Sequence, residues 1–292
     1  MVQTKKKRPV RKKREKKKEK SLRLVLKYFI FLFLLGTVLF FAYQCFCVRQ
    51  QPEQKNVGIA AYPKLEIPQP LPNRREQIIF HTGYTVSYNG LWRLPNWVAY
   101  ELTRSETRGA EKRSNRFVVD PQIKGASAAN KDYLHSGYDK GHLAPAADMK
   151  WSRVAMKESF YFTNICPQHP QLNRHRWKEL EDKVRDWANV DSAIVIVCGP
   201  LVAEKGTKTV GDNRVVVPQG FFKVILSPYV SPPQAIGFIF KNEPDLKPLQ
   251  TFVVTVDSVE AITAMDFFSQ LPDEMETTVE SQVDAAYWGL LP

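Results

Sequence analysis

The stretch YDKGHLAPAAD, Tyr138 to Asp148, sets a single histidine among small and apolar residues. Imidazole has an unperturbed pKa near 6.5, so neutral His142 is a ready general base at physiological pH. Gly141, just before it, suits a tight strand-to-loop turn that presents the ring outward. A lone histidine is nevertheless more often packed than catalytic, so chemistry here needs partners. Polar candidates lie about 30 residues on, in LNRHRWKELEDKVR. Asn173 carries an amide oxygen, Glu181 a carboxylate and Arg185 a guanidinium. Taken alone, an asparagine near a helix start usually caps it, and Glu181 with Arg185 reads as a solvated i, i+4 pair. His81, His135, His169 and His175 fall into no HxH or HExxH pattern. A P-loop and the H-x-K-x4-D pattern are both absent, which removes nucleotide-driven motors and phospholipase-D-type hydrolases from consideration.

These side chains must be held by a packed body. NWVAYELT, SAIVIVCG, FFKVILSP, AIGFIF and LQTFVVTV are rich in β-branched and aromatic residues and read as strands. In LNRHRWKELEDKVRDWA, Leu172, Trp177, Leu180, Val184 and Trp187 recur at helical spacing, which makes both tryptophans core residues. A second helix is expected from Asp257, with DSVE as its entry. Strands without regularly alternating helices indicate an α+β domain and not a doubly wound one. Cys166 and Cys198 lie in apolar company and form no CxxC, so a bridge and two buried thiols both stay open.

The net charge of +12 suggests a nucleic-acid binder until its distribution is read. Residues 1–27 hold fourteen Lys and Arg against two Glu, and the rest of the chain carries 28 charges of each sign. Any polyanion must therefore be met by local patches of the body. Residues 28–48, YFIFLFLLGTVLFFAYQCFCV, contain no charge and would span roughly 30 Å as a helix, enough for a bilayer. The basic block precedes this span, so the positive-inside rule keeps residues 1–27 cytoplasmic and exports the body. No small-x-small cleavage pattern closes the run, which favours an uncleaved anchor. Residues 49–77 are polar and proline-rich and read as an extended tether, and 78–292 as the globular domain.

DKGHLAPAAD followed by N-x3-W-x2-LE-x3-R resembles the DNA/RNA non-specific endonucleases of the ββα-metal superfamily, which include the secreted Serratia-type and mitochondrial endonuclease G enzymes. NWVAYELT, FYFTNICPQ, CGPL, VPQGFFKVIL and FVVTVDSVEAITAMDFFSQLP follow in that family's order, so the likeness runs from Ile78 to the C-terminus. It implies a central antiparallel β-sheet flanked by helices, with a ββα-metal motif at the active site, here preceded by one transmembrane helix. By the same resemblance His142 is the general base and Asn173 the ligand of a Mg²⁺ ion, with Mn²⁺ as an alternative. Glu181 and Arg185 are the acidic and basic residues further along the helix, and Asn164 plays a supporting role near substrate. Lys140 stands where the family usually has arginine. A phosphate-contacting arginine is expected in KRSNRFVVD, where Arg116 and Arg113 are the choices, with Arg116 preferred, and Arg174 is a candidate substrate contact.

Phosphodiester hydrolysis needs a base for the attacking water and an electrophile for the leaving oxygen and the phosphate. Mg²⁺ keeps several waters, so the single amide oxygen of Asn173 can hold it. Glu181, eight residues on and roughly 12 Å along a helix, is too far to share that inner sphere and fits a role in holding a water of the ion's shell. The expected protein is a metal-dependent nuclease acting on DNA and RNA, with lipid contact through residues 28–48. The placement is a bacterial inner membrane facing the periplasm, with a mitochondrial membrane as the alternative. Its rivals are a nuclease-fold protein that binds nucleic acid or a protein without cutting, and an envelope-anchored scaffold. Nothing in the sequence sets the oligomeric state.

Overall fold

The computed structural model describes residues 64–71, 73–203 and 206–291, together with Thr37. The basic tail and the apolar run at 28–48 lie outside the described residues, Thr37 apart. Among the described residues no helix is long and apolar enough to cross a membrane. One compact unit runs from Ile59 to Pro292. It begins before Ile78, because Leu65 and Leu71, in the stretch expected as tether, are buried against the sheet. Asn96 also donates to the Arg75 carbonyl at 3.0 Å. Proline-rich composition disfavours regular structure but does not prevent two leucines from docking.

Seven strands form the central sheet: β1 (Gln77–Phe80), β2 (Thr85–Asn89), β3 (Leu94–Thr103), β6 (Ala193–Leu201), β9 (Gly220–Ser227), β10 (Gln234–Lys241) and β11 (Val253–Val254), side by side in that order. Every neighbouring pair is antiparallel. The α+β expectation with a central antiparallel sheet holds. A two-residue hairpin, β7 (Thr209–Val210) with β8 (Val215–Val216), stands apart. LQTFVVTV departs from expectation. Leu249–Phe252 is a 3-10 turn and only two residues pair as a strand. Thr255 then caps α3 (Val256–Thr263) by accepting the Ser258 N–H at 3.2 Å, so the helix starts one residue before Asp257.

The central strands are buried on both sides, and their side chains alternate between two cores. Val98, Tyr100, Ile194, Ile196, Cys198, Phe221 and Ile225 face one core, and Trp97, Ala99, Val195, Val197, Phe222, Val224 and Leu226 face the other. The first core is closed by α2 (Trp177–Asp191), through fully buried Trp177, Leu180 and Val184. Trp177 packs on Phe221 and Phe240 with ring centroids 5.6 and 5.9 Å away, and Trp187 packs on Trp288. Both tryptophans are core, as their spacing requires. Burial of this size is worth about 3–5 kcal/mol per tryptophan. The second core is closed by α3 and by α4 (Asp273–Ser281).

On the α2 side lies a separate two-stranded antiparallel ribbon, β4 (Asp139–His142) paired with β5 (Ile165–Gln168), and the short helix α1 (Arg153–Glu158) lies between them in the chain. β5 leads through a π-helical turn, Leu172–Arg176, into α2. Two strands and a helix are thus laid on the sheet as one unit. Cys166 and Cys198 are buried free thiols, and Cys198 Sγ donates to the Leu143 carbonyl at 3.4 Å.

Candidate active site

Gly141 is required for a reason other than the expected turn. β4 is a straight strand there, and a Cβ on Gly141 would stand 2.6 Å from the Gln168 Cβ across the ribbon. Glycine lets β4 and β5 close up. Residues two apart on a strand share a face, so Lys140 and His142 point the same way. Both meet Phe117: the Lys140 Nζ lies 4.3 Å from its ring centroid, and the His142 ring 5.4 Å. Phe160 meets His142 edge-on at 4.8 Å. His142 is 8% exposed, and its Nε2 is buried with no hydrogen-bond partner among the described residues. Burial, with a smaller push from the Arg113 charge, lowers its pKa to about 3 and keeps it neutral.

Backbone clamps hold this loop. The Trp177 indole donates to the His142 carbonyl at 3.1 Å, tying β4 to the first turn of α2. Asn164 is fully buried. Its amide accepts from Ala144 N–H and donates to the carbonyls of Ala144 and Ser159, each at 2.8 Å. The supporting role expected for Asn164 takes the form of loop support, with the protein occupying both ends of the amide.

Asn173 sits in the π-helical turn, and its Nδ2 donates to Asp139 at 3.0 Å. Among the described residues no donor bonds its Oδ1, which is left as a hard oxygen donor. Arg174 closes on the same Asp139 with two bonds of 2.8 Å, and its guanidinium is largely exposed. Hydrogen bonds from Arg174 and Asn173 outweigh burial and lower the Asp139 pKa. Asp139 thus orients the amide. Its adjacency to His142 in DKGH was the sequence signal.

Glu181 and Arg185 do not form the expected pair. Arg185 bonds Asp148 at 2.7 Å and also Asp182, and Tyr100 donates to the other Asp148 oxygen at 2.8 Å. Asp148 is wholly buried; burial raises its pKa and Arg185 opposes that rise. The Glu181 carboxyl is raised to about 7 by burial, against the pull of Lys223 and Arg185 and with a push from Asp148. Lys223, on β9, is fully buried and unbonded at Nζ, 4.6 Å from the Trp177 ring. A single lysine inside FFKVIL was the signal for it.

Of the two upstream arginines, Arg113 is the one tied to the site. It lies 5.0 Å over the Phe160 ring and interacts electrostatically with both His142 and Glu181. Arg116 is exposed and bonds none of these residues. Lys140 Nζ donates to Asn130 at 2.9 Å, and burial lowers its pKa. His81 is structural, locked to buried Asp120 at 2.9 Å.

A ββα unit on an antiparallel sheet, with a buried histidine on one strand and an oriented asparagine at the helix entry, is the architecture of the ββα nucleases. The model of the DNA/RNA non-specific endonuclease family matches residues 63–274, and the chain belongs to that family. Nuclease EXOG, mitochondrial, of Danio rerio is 36% identical over 217 residues, covering 69% of this chain and 63% of its own length. Nuclease 1, mitochondrial, of Schizosaccharomyces pombe is 33% identical over 226 residues, covering 70% of this chain and 69% of its own. A nuclease of Nostoc sp. is 32% identical over 213 residues, covering 69% of this chain and 76% of its own. The chain spans less than two thirds of the length of the EXOG relatives. A solved structure titled as the EndoG/EndoGI complex and the mechanism of EndoG inhibition contains a chain 28% identical, with a TM-score of 0.66, covering 74% of this chain and 94% of its own.

Proposed function

We propose that this protein is a Mg²⁺-dependent endonuclease that hydrolyses DNA and RNA phosphodiester bonds with little sequence preference. One observation carries the reading. A neutral, buried imidazole with an unpaired Nε2 stands beside Arg113, on the strand whose first residue orients Asn173. His142 takes the proton of the attacking water. Burial and the Arg113 charge hold its pKa low, and a phosphate bound beside Arg113 would raise it, which fits the imidazole to accept that proton. The Asn173 Oδ1 would hold a divalent cation, which would supply Lewis-acid stabilisation of the leaving oxygen and of phosphate charge. Glu181, ionised above about pH 7, orients water, and Arg113 and Lys140 neutralise phosphate. Arg185, locked on Asp148 and Asp182, shapes the field around Glu181 instead of reaching substrate. Arg174, an exposed guanidinium that shares Asp139 with Asn173, meets the nucleic-acid backbone. With a neutral body, recognition runs through phosphates and weakens steeply with salt.

Residues 28–48 are proposed to anchor the chain, with the tail cytoplasmic and the nuclease on the far side. The relatives include nucleases named as mitochondrial, which favours a mitochondrial membrane, with a bacterial inner membrane as the placement that protease protection must separate from it. The activity test is direct. Full-length protein in detergent is incubated with supercoiled plasmid and with RNA, in Mg²⁺ or EDTA. Nicking that requires Mg²⁺ and His142 supports the proposal, and equal nicking by His142→Ala sinks it. Retained nucleic-acid binding without any nicking would instead favour the binding-protein reading, for which the engagement of Lys140 by Asn130 and Phe117 is the supporting feature.

A further inference from the structure

On the sheet face opposite the active site, α3 and α4 converge three carboxylates. Asp257, Glu260 and Glu280 each place an oxygen within 4.8 Å of the others. Asp257 and Glu260 are one turn apart on α3, and Glu280 comes from the last turn of α4. Glu260 is fixed by the Phe267 N–H, which donates to its Oε1 at 2.8 Å. Glu280 is 5% exposed, and its Oε1 is buried with no hydrogen-bond partner. Among the described residues, no Lys, Arg or His forms an ion pair with any of the three.

A buried carboxyl without a partner either keeps its proton or takes a cation, and three acids converging on one point offer the ligands for a cation. Two oxygens bound to one Ca²⁺ at about 2.4 Å can be no more than ~4.8 Å apart, and the three oxygens here lie within that limit. Mg²⁺ is usually held by one or two carboxylates and keeps its waters, whereas three carboxylates with one side open to solvent at Asp257 suit Ca²⁺. We propose that Asp257, Glu260 and Glu280 bind one Ca²⁺ ion, which clamps α3 to α4 on the face away from His142. The acids Asp266 and Glu276 add further negative charge around it, and together with burial the four neighbouring carboxylates raise Glu280 to about 9 in the ion's absence.

The test uses full-length protein in detergent, stripped with EDTA and carrying Asn173→Ala, so that the active-site amide takes no part. Calorimetric titration with CaCl2 should give one ion per chain, with MgCl2 binding at least tenfold more weakly. Saturating Ca²⁺ should raise the melting temperature by at least about 3 °C. Glu280→Gln and the double variant Asp257→Asn, Glu260→Gln should each lose both effects. Absence of binding, binding unchanged in these variants, or equal affinity for Mg²⁺ would overturn the proposal. Glu280→Gln conserves shape and removes charge repulsion, so in EDTA it should melt at or above the parent. A lower value would mean that protein contacts hold the carboxylate, and would also count against the site.

Discussion

Two carboxylates, Glu181 and Glu260, sit on opposite faces of one sheet and have the same pKa, about 7, for different reasons. Burial raises both. At Glu181 the rise is opposed by Lys223 and Arg185, and Asp148 beside it is clamped by Arg185 and Tyr100. At Glu260 the one opposing influence among the leading causes is the Phe267 N–H, and the neighbouring charges, Asp266, Asp257 and Glu276, are all acidic. The first group is complete within the protein, with the cations already built in to set one carboxylate near neutrality. The second is incomplete and calls for its cation from solution. Their pKa by itself does not distinguish these two groups; the sign of the neighbouring charges does.

The largest effect that would break this contrast is on activity. His142→Ala should reduce plasmid nicking by about 10²–10⁴-fold, the share of a general base, with the far-UV spectrum intact. A smaller loss would leave the site-side carboxylates without a base to serve. Next, Arg185→Ala strands buried Asp148 and should cost about 3–5 kcal/mol in urea unfolding. A loss below ~1 kcal/mol would mean that Tyr100 and Lys223 suffice to hold that charge.

Lys223→Met should sharpen the comparison by making the site face resemble the other. Wild-type kcat/KM should rise with pH through about 7 as Glu181 ionises. Without the buried ammonium that limb should move to higher pH, and in Glu181→Gln it should vanish. An unmoved limb would exclude Lys223 from the field at Glu181. The smallest effect is on stability without metal. Glu260 and Glu280 have folded pKa values near 7 and 9, above the unfolded carboxylate value near 4.3, so the folded state binds the extra protons. Their stabilisation is full below the unfolded pKa and is lost as pH rises through the folded values. In EDTA the melting temperature should therefore fall between about pH 5 and 9, and Glu280→Gln should flatten that fall. A flat wild-type curve would dissolve the contrast between the two faces.

Much of the site could be read in the chain. DKGH and the helix pattern after it pointed to His142, Asn173, Glu181 and Arg185, and helical spacing placed Trp177 and Trp187 in the core. The choice between Arg113 and Arg116 could not be read there. KRSNRFVVD has no regular period, so nothing in the sequence says which guanidinium turns toward Phe160 and His142. Asp148 stood in view at the end of the motif, yet its pairing with Arg185 spans 37 positions and needs α2 laid on the loop. Pairing Arg185 with Glu181 followed from helix geometry alone. Burial of Asp148 beneath the helix supplied a stronger partner than a neighbour on the same surface.

Sequence by itself determined the alternation of the strands, the two tryptophans on the apolar stripe of α2, and the residue types that the proposed phosphodiester hydrolysis would use. Those follow from local chemistry and from the periods of strand and helix. Only the tertiary structure decided which charges face one another. It committed Asn164 to holding the loop, set Gly141 against Gln168, brought Lys223 within electrostatic reach of Glu181, and brought Glu280 to Asp257 and Glu260. Electrostatic partners are chosen by distance and burial, and both are properties of how the faces of the sheet are covered.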